Sequence, residues 1–527
     1  MSETPSCYGG MVTAPHHLAA QAGRDVLARG GTAVEATVAM AAALAVVYPH
    51  MTGLGGDGFW LISRPGEAPR AIDASGTAVS AATPALYKGM DVIPPRGVLA
   101  ANTVAGTVGG WDMALRISAQ WRAPLPLADL LGPAIRHARE GFPVTRSQEE
   151  LTRTHLAALA AVPGFAQTFL PAGQVPRQGQ RMTLPRLADT LEALARDGLD
   201  SFYRGPLAAR IVADMETVGG LVAQGDLEAW HPTEVTPLSA TLRDGTRLWN
   251  LPAPTQGMAS LAILGIADQL PEVEPESFAH LHGLIEATKR AFIARDRLIG
   301  TPELTGDQSA WLQTRVFANE AAMIDPASAA PWPHVAQKGD TIWCGAVDAE
   351  GNMTSFIQSI FFEFGSGVVL PDTGLTWQNR GSSFLLQHGG PRSLAPGRKP
   401  FHTLNPAFAE LPDGRRLSYG TMGGEGQPQT QAAIFTRHVM HGVPLQQAIS
   451  RPRWLLGRTW GTVATNLKVE GDIGEELILA LRNAGHDLEI VSPVNSLMGH
   501  AGALSRYPDG RIEGASDPRS DGAVAGI

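Results

Sequence analysis

Four arrangements in the sequence have residue types and spacings that could do chemistry. Gly53-Leu54-Gly55-Gly56-Asp57-Gly58 has the G-x-G-x-x-G spacing of a pyrophosphate-cradling loop. Such a loop follows a strand and opens a helix. Here a helical pattern precedes it and the apolar run Phe59 to Ile62 comes after, so a tight turn using glycine at positive φ is the better reading. His280 and His282 form H-x-H within a helical pattern. Positions two apart do not share a helix face, and no Cys or His cluster completes a ligand set, so no metal is expected. Gly423-Gly424 lies between a strand-like run and a helical one. Two successive glycine amides at such a junction can point at one oxygen and stabilise negative charge, although a plain strand-to-helix turn uses the same residues. Thr341 opens a strand-like run, and taken alone it is an ordinary β-segment threonine.

These residues need elements to hold them. Pro15–Arg29 and Thr32–Tyr48 read as helices, and Phe59–Ile62 reads as a strand. From about Leu125 to Leu298 the pattern is mostly helical, with a strand at Leu242–Leu251. Ala327–Asp340 is loop-like. Thr341–Asp348 and Met353–Ser359 then alternate as the arms of a hairpin around Glu350-Gly351-Asn352. Strands are expected at Gly367–Leu370 and Arg416–Gly420, and helices at Pro428–His441 and Gly474–Ala484. The pattern is α+β, and a sandwich of two sheets between helical layers fits it.

Composition narrows the function classes. The 527 residues carry a net charge of −9 with no block of like charge, which speaks against a nucleic-acid surface. The longest apolar run, Ala36–Val47, is too short to span a bilayer, and Met1–Met11 lacks the pattern of a signal peptide. A cytoplasmic protein without membrane or nucleic-acid partners is expected. The two cysteines, Cys7 and Cys344, form no disulfide framework, and Cys344 reads as a small buried apolar residue. There is no H-E-x-x-H, Walker A or G-x-S-x-G motif.

The chain as a whole resembles the gamma-glutamyltranspeptidase family from about Gly9 to Ala523. The matching stretches are Ala19–Gly23, Tyr48–Phe59, Val104–Gly110, the junction Asp340-Thr341, Asp348–Asn352, Phe364–Gly367, Gly423-Gly424 and Gly514–Ser520. The resemblance implies a four-layer αββα fold and self-cleavage between Asp340 and Thr341. The products would be a large chain, residues 1–340, and a small chain, residues 341–527. Together they would form a heterodimer, with a dimer of heterodimers left open. It further implies Thr341 as nucleophile, Ser359 as a supporting hydroxyl, Gly423 and Gly424 as the oxyanion hole, and no cofactor. The chemistry suits a threonine: cleavage frees an α-amine with a pKa of roughly 8, which can deprotonate the hydroxyl of the same residue.

Departures from the family pattern bear on substrate. Where gamma-glutamyl enzymes place the groups that hold a substrate ammonium, this chain has Ser383 and Arg380; their carboxylate-binding arginine aligns near Ser75. The Ser-Ser pair of that site reads His402-Thr403, and an asparagine reads Phe361. A cation in place of an acid repels an ammonium and can take a carboxylate bidentately. The expected substrate is therefore a short amide carrying a carboxylate, bound by Arg380, with His402, Thr403 and Asn405 as weaker pocket candidates. Two alternatives remain open from the sequence. One is a gamma-glutamyl hydrolase or transferase, or a cephalosporin-type acylase; the other is an uncleaved, inactive binding protein.

Overall fold

The computed structural model describes residues 3–332, 340–387, 389–457 and 465–527. Its architecture is α+β, an αββα sandwich of two seven-stranded sheets. The first sheet runs, in spatial order, Ser6–Cys7, Ile512–Ser516, Ala501–Arg506, Arg416–Thr421, Ala407–Glu410, Arg247–Asn250 and Leu238–Thr241. The second runs Ala523–Gly526, Met11–Ala14, Asp340–Val347, Met353–Phe361, Asp57–Ser63, Arg70–Ala74 and Thr233–Val235. Both sheets mix strands from before and after residue 340.

Side-chain alternation along the central strands builds the layers. Ile342, Cys344 and Ala346 point out of the second sheet into a core shared with helices Ala33–Val47 and Thr107–Ser118. Trp343 and Val347 point the other way, into the seam between the sheets with Phe59, Leu61, Ile357, Phe408 and Leu504. A third core lies under helices Gly257–Gln269 and Phe278–Leu298 against the first sheet. Helix Ala33–Val47 is buried at every residue, as a helix with apolar residues on every face must be. It opens with a capping box of Thr32 and Glu35, and Asp348 accepts the Ala33 amide at 2.9 Å.

Most expected elements form within a few residues of their expected ends, with three differences. Gly367–Leu370 is not a strand; only Val369 bridges to Thr376. Positive φ at Phe364, Gly365 and Gly367 coils the chain before it can extend. The Leu242–Leu251 strand shrinks to Arg247–Asn250, because a turn closes Leu242 N–H onto the Thr246 carbonyl. The glycines of Gly53–Gly58 do not adopt positive φ. They are required by close approach: a β-carbon on Gly55 would lie 2.2 Å from the Thr376 carbonyl oxygen, and one on Gly56 2.2 Å from that of Ser359.

Candidate active site

Thr341 is the second residue of strand Asp340–Val347 and is fully buried. Its position is fixed by the next residues of that strand. The Trp343 indole lies over glycines of both sheets: a β-carbon on Gly345, Gly420 or Gly502 would come within 2.9, 2.3 or 2.5 Å of the ring. Its Nε1–H donates to Ser355 Oγ at 2.9 Å. The strand is thereby keyed into the facing sheet two residues from Thr341. A β-bulge between Asp340 and Ile342 lets the paired strand turn away at Phe361.

Ser359 lies on that paired strand, and its Oγ accepts the Phe361 amide at 2.8 Å. Gln427, on helix Gly426–Phe435, donates from Nε2 to Thr341 Oγ1 at 3.4 Å. Asn405 stands behind Gln427, donating to its Oε1 from both backbone and side chain at 3.2 Å. The structure thus places Asn405 where it orients Gln427.

Gly423 and Gly424 adopt φ of 125° and 52°, conformations that side chains disfavour, just before the N-terminus of the Gly426–Phe435 helix. Gln256 Nε2 donates to the Gly424 carbonyl at 2.8 Å and to the Thr403 carbonyl at 2.6 Å. Arg295 holds Gln256 Oε1 at 3.0 Å and Glu425 at 2.8 Å. This buried clamp holds the C-terminal side of the glycine turn, while the Gly426 amide donates to the Gly423 carbonyl at 2.7 Å and so fixes the peptide plane that carries the Gly424 N–H.

Arg380 opens a 3-10 turn, Arg380–Ser383, and is fully buried. Its guanidinium carbon stacks 3.7 Å from the centroid of the Phe361 ring, which the positive φ of Phe361 (80°) brings into place. Its hydrogen bonds are long, 3.5 Å to the Phe401 carbonyl and 3.4 Å to Thr403 Oγ1. It forms no ion pair among the described residues. Burial pushes its pKa down to about 9 against the pull of Asp57. Ser75, near which the family's arginine aligns, is bound to Asp73 through Oγ at 2.5 Å.

His402 is buried, its ring packed edge-on to Phe59 at 4.9 Å. Burial, and then the charge of Arg380, hold its pKa well below the usual imidazole value, so the ring is neutral. Its Nε2 lies 3.3 Å from Asp57 Oδ2 without the alignment of a hydrogen bond. Asp57 is a site residue that sequence reasoning missed: it was absorbed into a glycine turn. The signal for it was an acid flanked by glycines at the head of an apolar strand. Gln256 and Gln427 were missed because isolated glutamines carry no spacing signal.

The H-x-H pair separates as expected from helix geometry, but His282 meets Glu286 and His486. These groups have internal partners. His282 Nδ1 and His486 Nε2 are 2.9 Å apart, His282 Nε2 is 2.8 Å from the Asp325 carbonyl, and Lys289 binds Glu286 at 2.7 Å.

Two facing antiparallel sheets between helical layers, with this cluster at one end of the seam, define the class: an αββα amidohydrolase of the N-terminal-nucleophile type. A cephalosporin acylase from Bacillus halodurans has the same architecture, with a TM-score of 0.90 and 32% identity, covering 100% of this chain and 97% of the other. The chain belongs to the gamma-glutamyltranspeptidase family, whose model (Gamma-glutamyltranspeptidase) matches residues 19–527. It is 54% identical over 519 residues to the oxamate amidohydrolase proenzyme of Klebsiella pneumoniae, covering 98% of each chain. It is 40% identical over 520 residues to the glutathione hydrolase-like YwrD proenzyme of Bacillus subtilis, again covering 98% of each. Among the described residues no helix is long and apolar enough to cross a membrane.

Proposed function

We propose that this chain is a precursor that cuts itself between Asp340 and Thr341, and that the mature enzyme hydrolyses oxamate to oxalate and ammonia. The observation that carries the substrate assignment is Arg380, a fully buried guanidinium with only long hydrogen bonds and, among the described residues, no ion pair. A buried cation of this kind is stabilised by an incoming carboxylate, and the Phe361 ring stacked on it, where the family pattern has an asparagine, favours a short acyl group. Likeness to an oxamate amidohydrolase proenzyme supports the same reading.

In this reading Thr341 Oγ first attacks the Asp340 carbonyl, and hydrolysis of the resulting ester releases a large chain, 1–340, and a small chain, 341–527. The two remain together as a heterodimer acting on a small-molecule amide. The freed α-amine of Thr341 takes the hydroxyl proton, and Oγ attacks the amide carbon. The oxyanion is held by the Gly423 and Gly424 amides, and Ser359 supports the nucleophile. Ammonia leaves with the proton, and water releases oxalate. Losing one oxyanion donor typically raises such a barrier by about 3 kcal/mol.

A second reading, a gamma-glutamyl hydrolase, is favoured by one observation. Asp57 puts a carboxylate near Arg380, and an amino-acid substrate carries both charges. Incubating purified enzyme with oxamate and with gamma-glutamyl-p-nitroanilide separates the two. Ammonia from oxamate is expected; p-nitroaniline release with no activity on oxamate would overturn the proposal. A mass spectrum is expected to show two fragments meeting at residues 340 and 341. In Thr341→Ala a single intact chain is expected, and cleavage there would refute the nucleophile assignment.

A further inference from the structure

Buried polar atoms in folded proteins nearly always find partners, because an unpaired one forfeits its hydration without compensation. Three such atoms without a partner among the described residues gather beside Arg380: Asp57 Oδ2 and both ring nitrogens of His402. The two oxygens of Asp57 are in different situations. Oδ1 accepts three hydrogen bonds, from Gly76 N at 2.8 Å, Gly106 N at 3.2 Å and Gln378 Nε2 at 2.9 Å. Oδ2 accepts none. Those three donors fix the carboxylate plane, and with it the direction of the unused lone pairs.

Strand register places that oxygen. Asp57 pairs directly with Ser359, and the Met353–Phe361 strand carrying Ser359 pairs with the strand that begins at Asp340-Thr341. Asp57 shares a strand face with Phe59 and Leu61, which point into the seam between the sheets, as does Trp343 two residues after Thr341. Asp57 and Thr341 therefore enter the same space from one sheet. Arg380 enters it without pairing to Asp57. Arg380 and the Asp57 oxygen thus flank the space that Thr341 faces, and His402 Nε2 lies 3.3 Å from that oxygen without hydrogen-bond alignment.

We propose that Asp57 Oδ2 accepts a hydrogen bond from the substrate's scissile nitrogen while Arg380 holds its carboxylate, so that the site selects amides whose nitrogen carries hydrogen. This rests on the oxamate reading above. Asp57 is then a specificity-determining residue for the reaction, and neutral His402 packs beside it as a ring that does not repel Arg380.

The substitution Asp57→Asn tests this with unusual definition. The three donors at Oδ1 oblige the amide oxygen of Asn to sit there, so its NH2 replaces Oδ2 and a donor stands where an acceptor stood. Wild type and variant are compared on oxamate and on N,N-dimethyloxamate, which has no N–H to donate. The variant is expected to lose roughly 100-fold in kcat/KM on oxamate and less than about threefold on the dimethyl compound, as removal of a hydrogen bond to a charged group implies. An equal loss on both substrates, or none on oxamate, overturns the inference. Wild type turning over N,N-dimethyloxamate as fast as oxamate also overturns it, whether or not the variant folds. Wild type inactive on oxamate but active on the gamma-glutamyl anilide instead defeats the substrate reading, and this inference with it.

Discussion

Replacing Arg380 by methionine should separate activity from stability, because the structure assigns opposite signs to the two effects. The side chain is fully buried, and its guanidinium rests on Phe361 at 3.7 Å with hydrogen bonds no shorter than 3.4 Å. Burial lowers its pKa from the ordinary arginine value to about 9. At about 1.36 kcal/mol per unit, holding that charge in the unliganded protein costs on the order of 5 kcal/mol at most. Methionine keeps the apolar stem and removes the charge, so the unliganded variant should melt no lower than the parent. Substrate binding should suffer. Removing one partner of a buried, hydrogen-bonded charge pair costs about 2–5 kcal/mol, so kcat/KM for oxamate should fall roughly 30- to 5,000-fold, mostly through KM. Initial rates of ammonia release across a range of oxamate concentrations, with a thermal melt of the same preparation, measure both quantities. A kcat/KM within threefold of the parent would refute the carboxylate role of Arg380. A large fall in melting temperature would show that the guanidinium is a structural group.

Gln427→Leu removes the Nε2 contact to Thr341 Oγ1 and should lower kcat about tenfold with KM little changed, read from the same rate curves. Gly420→Ala would set a β-carbon 2.3 Å from the Trp343 ring and should destabilise the protein by about 1–3 kcal/mol, measured by denaturant unfolding. Its self-cleavage, tracked on a denaturing gel, should also slow, since Trp343 keys the nucleophile strand. Burial raises the Asp57 pKa from 3.8 to about 6, in opposition to the hydrogen bonds from Gln378, Gly76 and Gly106. The native state therefore takes up its proton near pH 6 and the unfolded state near pH 3.8, so the contribution of Asp57 to stability rises as pH falls between them. Asp57→Asn should be more stable than wild type by up to about 3 kcal/mol at pH 7, the difference closing toward pH 4; a gap that widens on acidification would contradict the assignment.

The layers of the fold were legible because periodicity reports burial. The Ala33–Val47 helix and the hairpin after residue 340 are patterns of one-dimensional neighbours. The site was legible only in part. Thr341, Ser359 and the glycine pair are singled out only through resemblance, since a threonine opening a strand looks like any other. Asp57 escaped because its role depends on Gly76, Gly106 and Gln378, which are 19, 49 and 321 positions away. The glycine run around it was read as a turn, whereas those glycines exist to let the Thr376 and Ser359 backbones come near. The failed strand at Gly367–Leu370 has the same origin, apolar residues whose backbone is dictated by the glycines before them.

The mixing of strands from the two sides of residue 340 constrains the life history of the molecule. Ala523–Gly526 borders Met11–Ala14, which borders Asp340–Val347, so the C-terminal strand is stitched to the rest of its own half through a strand from the other. Made separately, each half would display bare strand edges with no mate, a surface prone to aggregate. Complete assembly must therefore come before any scission at this junction, and the products of scission part only by unfolding. Refolding of the two pieces after denaturation should accordingly fail under conditions in which the uncut Thr341→Ala chain refolds.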